Sequence, residues 1–177
     1  MSGIFGMNIK MAIYGESHGK SIGVVLDGLP PGLALDEAAI AAEMARRAPG
    51  QNALSTARKE SDTVEIQSGF FNGFTTGTPL CARIVNSDQH SKDYSILADK
   101  MRPGHADYAG HVHYQGFNDY RGGGHFSGRL TAPLVFAGAV AKQALAQYGI
   151  VVGSHILQIN DIKEERFNPM GVSDVEL

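Results

Sequence analysis

The chain has 177 residues, 43% of them apolar and 19% charged, with a formal net charge of -3. That length and usage suit one sizeable globular core, and the mild acidity argues against nucleic acid or an anionic membrane as the main partner. A single cysteine, Cys81, excludes an internal disulfide, no apolar run approaches membrane-spanning length, and Met1 to Lys10 lacks a secretory core, so a cytoplasmic protein is expected.

In chain order, the apolar runs Ile9 to Tyr14 and Ile22 to Leu26 predict two strands joined by the loop Gly15-Glu-Ser-His-Gly19. His18 stands in that loop near two glycines, where an imidazole is expected at a cleft and not in a core. Asp36 to Ala48 predicts an amphipathic helix, with Asp36 at its start, Ile40 and Met44 one turn apart, and Arg46-Arg47 in its last turn. No carboxylate occurs from Arg46 through Lys59, so Arg46, Arg47, Arg58 and Lys59 form a basic stretch suited to a polyanionic small molecule. Thr63 to Ser68 and Leu80 to Val85 predict further strands, with Cys81 a strand residue and not a nucleophile.

The densest chemistry lies between Met101 and Ala141, where two loops rich in Gly, His and Arg precede an apolar helix. Gly122, Gly123, Gly124 and Gly128 permit positive φ and close approach of a ligand to the main chain. Thr131 is the expected N-cap and Pro133 lies in the first turn. Leu134 to Leu145 is apolar almost all round, so burial is expected, and Tyr148-Gly149 ends the helix. Arg121 and Arg129 flank the loop, and a glycine loop feeding a helix N-terminus with such charges suits a phosphate or carboxylate. Arg129-Leu130 stands where a Walker loop requires Lys-Ser/Thr, and Tyr114 to Tyr120 is a polar turn where a dinucleotide fingerprint requires a strand. Ile150 to Ile159 predicts one more strand. The ordering indicates an α+β protein, residues 1–177 forming a single domain. Ser173-Asp-Val-Glu176 is a capping box, the opening of a helix, and so predicts a longer parent chain.

Seven segments in order resemble the chorismate synthase family. They are Gly15-Glu-Ser-His-Gly19; Asp27-Gly-Leu-Pro-Pro-Gly32; Arg46-Arg47 with Pro49-Gly50; Ser68-Gly69 with Thr75-Thr-Gly-Thr-Pro79; Asp88-Gln with Ser91-Lys-Asp-Tyr94; Arg102-Pro-Gly-His-Ala-Asp107; and Arg121-Gly-Gly-Gly124 with Ser127-Gly-Arg129. The resemblance implies a lyase of aromatic amino-acid biosynthesis that converts 5-enolpyruvylshikimate 3-phosphate to chorismate and phosphate by anti 1,4-elimination, with reduced FMN. Some members reduce FMN themselves, which makes NADPH a candidate reductant. It implies His18 as proton donor to the leaving phosphate and His105 as the residue holding the reduced flavin in its useful protonation state. Arg47, Arg102 and Arg129 would clamp the substrate's phosphate and carboxylates, Arg being suited by its planar fork. His125, Phe126 and Ser127 would lie along the flavin. The implied fold is a β-α-β sandwich, antiparallel sheets on a central layer of long helices, assembled as a tetramer. Here it is incomplete, because the family is about twice as long. Three positions depart from the family pattern: His90 and His125 stand where many members have Arg, and Ala53 stands near another family arginine that Arg58 is placed to replace. A half-length chain is expected to expose apolar faces and to associate.

Two rivals follow from the residues alone. A metal-dependent hydrolase would use His105, Asp107, His111, His113 and His125, with His111 and His113 binding from one strand. A truncated, noncatalytic fragment that binds anions or flavin is the other.

Overall fold

The computed structural model describes residues 3–50, 61–87 and 99–166. The basic residues Arg58 and Lys59, the departures at Ala53 and His90, the motif Ser91 to Tyr94 and the capping box at Ser173 lie outside the described residues. Contacts divide the chain into two compact units, Met1–Val140 and Ala141–Leu177.

In the first unit, strands β1 (Ile4–Phe5), β2 (Lys10–Gly15), β3 (Ser21–Asp27), β4 (Val64–Ser68) and β7 (Leu80–Val85) form an antiparallel sheet of order β1-β2-β3-β7-β4. The pleat sends alternate side chains to opposite faces. Ile22, Val24 and Leu26 of β3 and Leu80, Ala82 and Ile84 of β7 therefore share one face, and all six are buried. Helix α1 (Glu37–Arg47) adds buried Ile40 and Met44. Its N-cap is the expected Asp36, whose carboxylate accepts from Ala38 N at 2.8 Å and Ala39 N at 3.1 Å. Helix α3 (Thr131–Ala146) adds Phe136 and Val140, both fully buried. A cavity of about 310 Å³ lined by Ile40, Met44, Val64, Ile66 and Phe136 marks where α1, β4 and α3 meet.

The opposite face has its own lock. Gly23 is covered by Tyr14, whose hydroxyl donates to Ala82 O at 3.3 Å. A Cβ on Gly23 would stand 2.2 Å from Ala82 O and 2.3 Å from the Tyr14 hydroxyl.

A second pairing holds the loop before α1. The hairpin β5 (Phe70–Phe71) and β6 (Phe74–Thr75) turns at Asn72-Gly73, both at positive φ, as a two-residue hairpin turn requires. Thr75 Oγ1 donates to Pro30 O at 2.6 Å and accepts from Leu33 N at 3.0 Å, while Gly32 N donates to Thr75 O at 2.8 Å. The Asp27 to Gly32 and Thr75 to Pro79 motifs are thereby stitched together as scaffold.

Four expectations are corrected. Thr131 is not an N-cap: a 3₁₀ turn, Gly128–Leu130, runs directly into α3, Thr131 has helical φ and ψ, and Ser127 is the cap, its hydroxyl accepting from Arg129 N at 3.3 Å. The extra turn moves the cap four residues upstream. Helix α3 is not buried all round, since Leu134 is 43% exposed. Its uniform apolarity carried no periodic signal of which side packs. The expected strand Ile150 to Ile159 shrinks to β8 (Gln158–Ile159), paired with β9 (Ile162–Lys163) in the second unit; residues 150–157 have no ladder, and an extended run becomes a strand only with a partner. Finally, Asp107–His113 is a helix, α2, although it contains Gly110, where the metal-site rival put His111 and His113 on one strand. A Cβ on Gly110 would lie 2.6 Å from the Phe126 ring, so tertiary packing overrides the low helix propensity of glycine here.

Helix α3 does end as expected. Gly149 N donates to Ala146 O at 3.0 Å and Ile150 N to Leu145 O at 3.2 Å, the paired bonds of a Schellman motif. Antiparallel sheets with three α-helices among the described residues make the chain α+β. No helix among them is long and apolar enough to cross a membrane.

Gly23→Ala is expected to cost about 2–3 kcal/mol through overpacking. Thermal unfolding should show Tm lowered by roughly 5 °C or more, whereas an unchanged Tm would mean that Tyr14 does not seat on Gly23.

Candidate functional site

Strand β2 ends at Gly15 and the chain crosses to β3 through Glu16–Lys20, which carries Ser17 and His18. This loop is tied down from two sides. Ser17 N donates to Gly124 O at 3.0 Å. Asn86, just past β7, donates from Nδ2 to Glu16 O at 3.1 Å and Gly19 O at 2.9 Å. The result buries His18 to 6% exposure, deeper than the expected cleft position, because the glycine loop lies on top of it.

That loop, Arg121–Phe126, has three consecutive glycines at positive φ: Gly122 at 57°, Gly123 at 85° and Gly124 at 55°. Only glycine adopts such a run without strain. The missing Cβ atoms also make room for two imidazoles. A Cβ on Gly122 would fall 2.3 Å from His18 Cε1, and one on Gly123 would fall 2.6 Å from His105 Cε1 and 3.4 Å from Arg102 Nη2. His18, His105 and Arg102 therefore gather against adjacent residues of one backbone segment.

Two carboxylates hold the arginines there. Asp107 accepts from Arg102 Nε at 2.8 Å, from Arg102 Nη2 at 2.9 Å and from Arg102 N at 3.1 Å, and its Oδ1 lies 2.6 Å from His105 Nδ1. The Arg102 side-chain bonds outweigh burial and hold the Asp107 pKa down from 3.8 to about 2. Asp119 pairs in the same bidentate way with Arg121, at 2.9 Å and 2.7 Å. Its carboxyl is lowered first by that pair, with smaller help from His18, and the Arg121 guanidinium is raised by Asp119. Arg121 is thus one half of an ion pair beside the loop.

Arg47 and Arg129 gather elsewhere. Arg47 Nη1 lies 2.5 Å from Asp62 Oδ2, and Arg129 Nη1 is bonded to Asp62 Oδ1. Arg129 Nε donates to Asn86 Oδ1 at 3.1 Å. Asn86 consequently joins this ionic cluster to the loop bearing His18. Arg46, grouped with Arg47 in the sequence, instead pairs with Glu43 on the exposed side of α1.

His125 and Phe126 line a cavity of about 340 Å³ with Glu16, Tyr114, Phe117 and Asn118. His125 Nδ1 lies 2.8 Å from Gly15 O. Ser127 does not join them, since its hydroxyl caps the turn at Arg129. His111 and His113 lie on α2, not on a strand, and no group of three or more His, Cys, Asp or Glu among the described residues is placed to hold a metal ion. The sequence reading missed Asp62, Asn86 and the pairing roles of Asp107 and Asp119. Asp107 and Asp119 sit two residues from their partners His105 and Arg121, a local signal; Asp62 and Asn86 act across the chain and leave none.

The family model described as chorismate synthase matches residues 9–177. This chain belongs to the chorismate synthase family. It is 53% identical to the chorismate synthase of a Polaromonas species over 164 residues, covering 92% of this chain and 45% of that one. It is 51% identical to the chorismate synthase of Sulfurimonas denitrificans over 164 residues (93% and 46%) and 48% identical to that of Cytophaga hutchinsonii over 163 (92% and 45%). A crystal structure of chorismate synthase superposes with a TM-score of 0.56 at 30% identity, covering 81% of this chain and 36% of that one. The chain thus spans less than half the length of these chorismate synthases.

A carboxyl depressed from 3.8 to about 2 stabilises the fold above its unfolded value and loses that contribution as pH falls from about 4 through 2. Asp107→Asn should therefore remove roughly 2 kcal/mol at neutral pH. Its Tm should converge with that of the wild type near pH 2; a constant gap from pH 7 to pH 2 would refute the pairing.

Proposed function

We propose that this chain carries the catalytic histidines of an enzyme that converts 5-enolpyruvylshikimate 3-phosphate to chorismate and phosphate. The single observation that carries this reading is the seating of His18 and His105 on the consecutive glycines Gly122 and Gly123, with Arg102 beside them. Loss of phosphate from an allylic carbon needs cations at the leaving group, a proton to neutralise it and exclusion of water. His18, buried and fixed by the Ser17–Gly124 and Asn86 bonds, is the proton donor to the leaving phosphate. His105, steered by Asp107, is the second proton-handling group, and Arg102 is aligned by the same carboxylate. Arg47 and Arg129 bind the substrate's anionic groups.

The cavity bounded by His125, Phe126, Tyr114 and Phe117 suits a planar aromatic ring, with a volume in the range of small-ligand pockets, roughly 300–1,000 Å³. His125 and Phe126 are the residues that would hold reduced FMN. The chemistry the flavin would supply there is transient electron density for the loss of phosphate. Ser127 supports the site by capping the turn that carries Arg129. The fuller reading places residues 1–177 as the N-terminal portion of a single β-α-β sandwich domain in a cytoplasmic homotetramer, with NADPH as candidate reductant.

The test is ligand-dependent stability. At one hundred times its Kd, 5-enolpyruvylshikimate 3-phosphate should stabilise the fold by about 2.7 kcal/mol. His18→Ala should retain that shift while turnover, assayed anaerobically with reduced FMN, drops by about 10²-fold or more. Unchanged turnover in His18→Ala would remove it as the donor, and the absence of any thermal shift in the wild type would remove the substrate assignment.

A further inference from the structure

Asp62 has no place in the mechanism above, yet side chains from two other segments converge on it. It precedes β4, Arg47 is the last residue of α1, and Arg129 lies in the 3₁₀ turn before α3. The Asp62 side chain is 0% exposed, that of Arg129 4% and that of Arg47 20%. Each carboxylate oxygen serves a different guanidinium, Oδ2 that of Arg47 and Oδ1 that of Arg129. Asp62 also sits at φ 50°, in the left-handed region that aspartate enters more readily than most residues with a Cβ.

The second contacts of each arginine fix its plane. Arg47 donates from Nε to Thr131 Oγ1 and from Nη2 to Gly128 O, both at 3.3 Å, which pins it to the start of α3. Arg129 donates from Nε to Asn86 Oδ1, and Asn86 in turn holds the Glu16 and Gly19 carbonyls flanking His18. One carboxylate thus sets the separation of two guanidiniums, and the second of them is tied to the loop of the proton donor.

We infer that Asp62 is a positioning residue that presets Arg47 and Arg129 as one two-armed receptor for an anionic group and holds it in register with His18. The inference rests on the proposed reading of those arginines as substrate-binding. Asp62 itself does not touch the substrate, so its loss acts through guanidinium geometry.

The experiment follows hydrogen exchange of the Arg129 guanidinium N–H groups by ¹H–¹⁵N NMR, alongside binding of 5-enolpyruvylshikimate 3-phosphate by calorimetry. In Asp62→Asn, Arg129 exchange should accelerate, and Kd rise, by about tenfold or more, the scale of a lost charge-assisted hydrogen bond. Backbone amides of β3 and β7 should keep their protection, which separates positioning from unfolding. Unchanged Arg129 exchange, or unchanged affinity despite faster exchange, would overturn the inference. Should Asp62→Asn fail to fold, the double variant Asp62→Asn/Arg47→Met keeps the three-residue charge at its original value and is judged on Arg129 exchange alone. If the wild type binds no 5-enolpyruvylshikimate 3-phosphate, the proposed function fails, and Arg129 exchange still decides whether Asp62 positions that side chain.

Discussion

Backbone and imidazole occupy the same small volume at the centre of this structure, and that is possible only because three consecutive residues lack side chains. Gly122 to Gly124 fold back through left-handed conformations so that His18 and His105 lie where Cβ atoms would otherwise stand. The neighbouring bonds depend on that path: Gly124 O receives Ser17 N, and Phe126 covers Gly110 of α2. A side chain on Gly122 or Gly123 would displace a histidine, and moving the loop would unseat α2 with Arg102 and Asp107.

Around this contact the sheet acts as a frame. The antiparallel register of β2, β3 and β7 sets where the Glu16–Lys20 loop emerges and brings Asn86 beneath it. The apolar face buried under α1 and α3 brings Arg47, at the end of one helix, to Arg129, at the approach to the other. Burial energy, proportional to apolar area, fixes those helices on the sheet, and the ionic cluster at Asp62 uses that proximity. A buried carboxylate flanked by two guanidiniums contributes orientation more than net stability, since desolvation offsets much of the Coulomb attraction.

Carboxylates are the common device of the site. Asp107 with Arg102, Asp119 with Arg121, and Asp62 with Arg47 and Arg129 each turn a flexible guanidinium into a directed donor, and Asp107 also lies against His105. Bidentate pairing suits this purpose because both hydrogen bonds fix the plane of the guanidinium. The chain's near-neutral charge of -3 conceals this local order, which lies in pairs and not in a basic surface.

Much of this was legible from the residues. Short apolar runs located β3 and β7, an aspartate before a spaced apolar pattern located α1, and clustered Gly, His and Arg located the loop that receives His18 and His105. These signals are local, arising from steric and capping preferences within a few residues. The family motifs singled out His18, His105 and Arg102, which meet at that loop, and Arg47 and Arg129, which meet at Asp62. Tertiary structure alone decided the rest: that Asp107–His113 is helical because Phe126 packs over Gly110, that α3 buries one side, that residues 150–157 find no ladder, and that Asp62 and Asn86 join segments up to 70 residues apart. Such contacts exist only after the chain has closed on itself, because their energy depends on a partner brought by packing and not on neighbours in sequence.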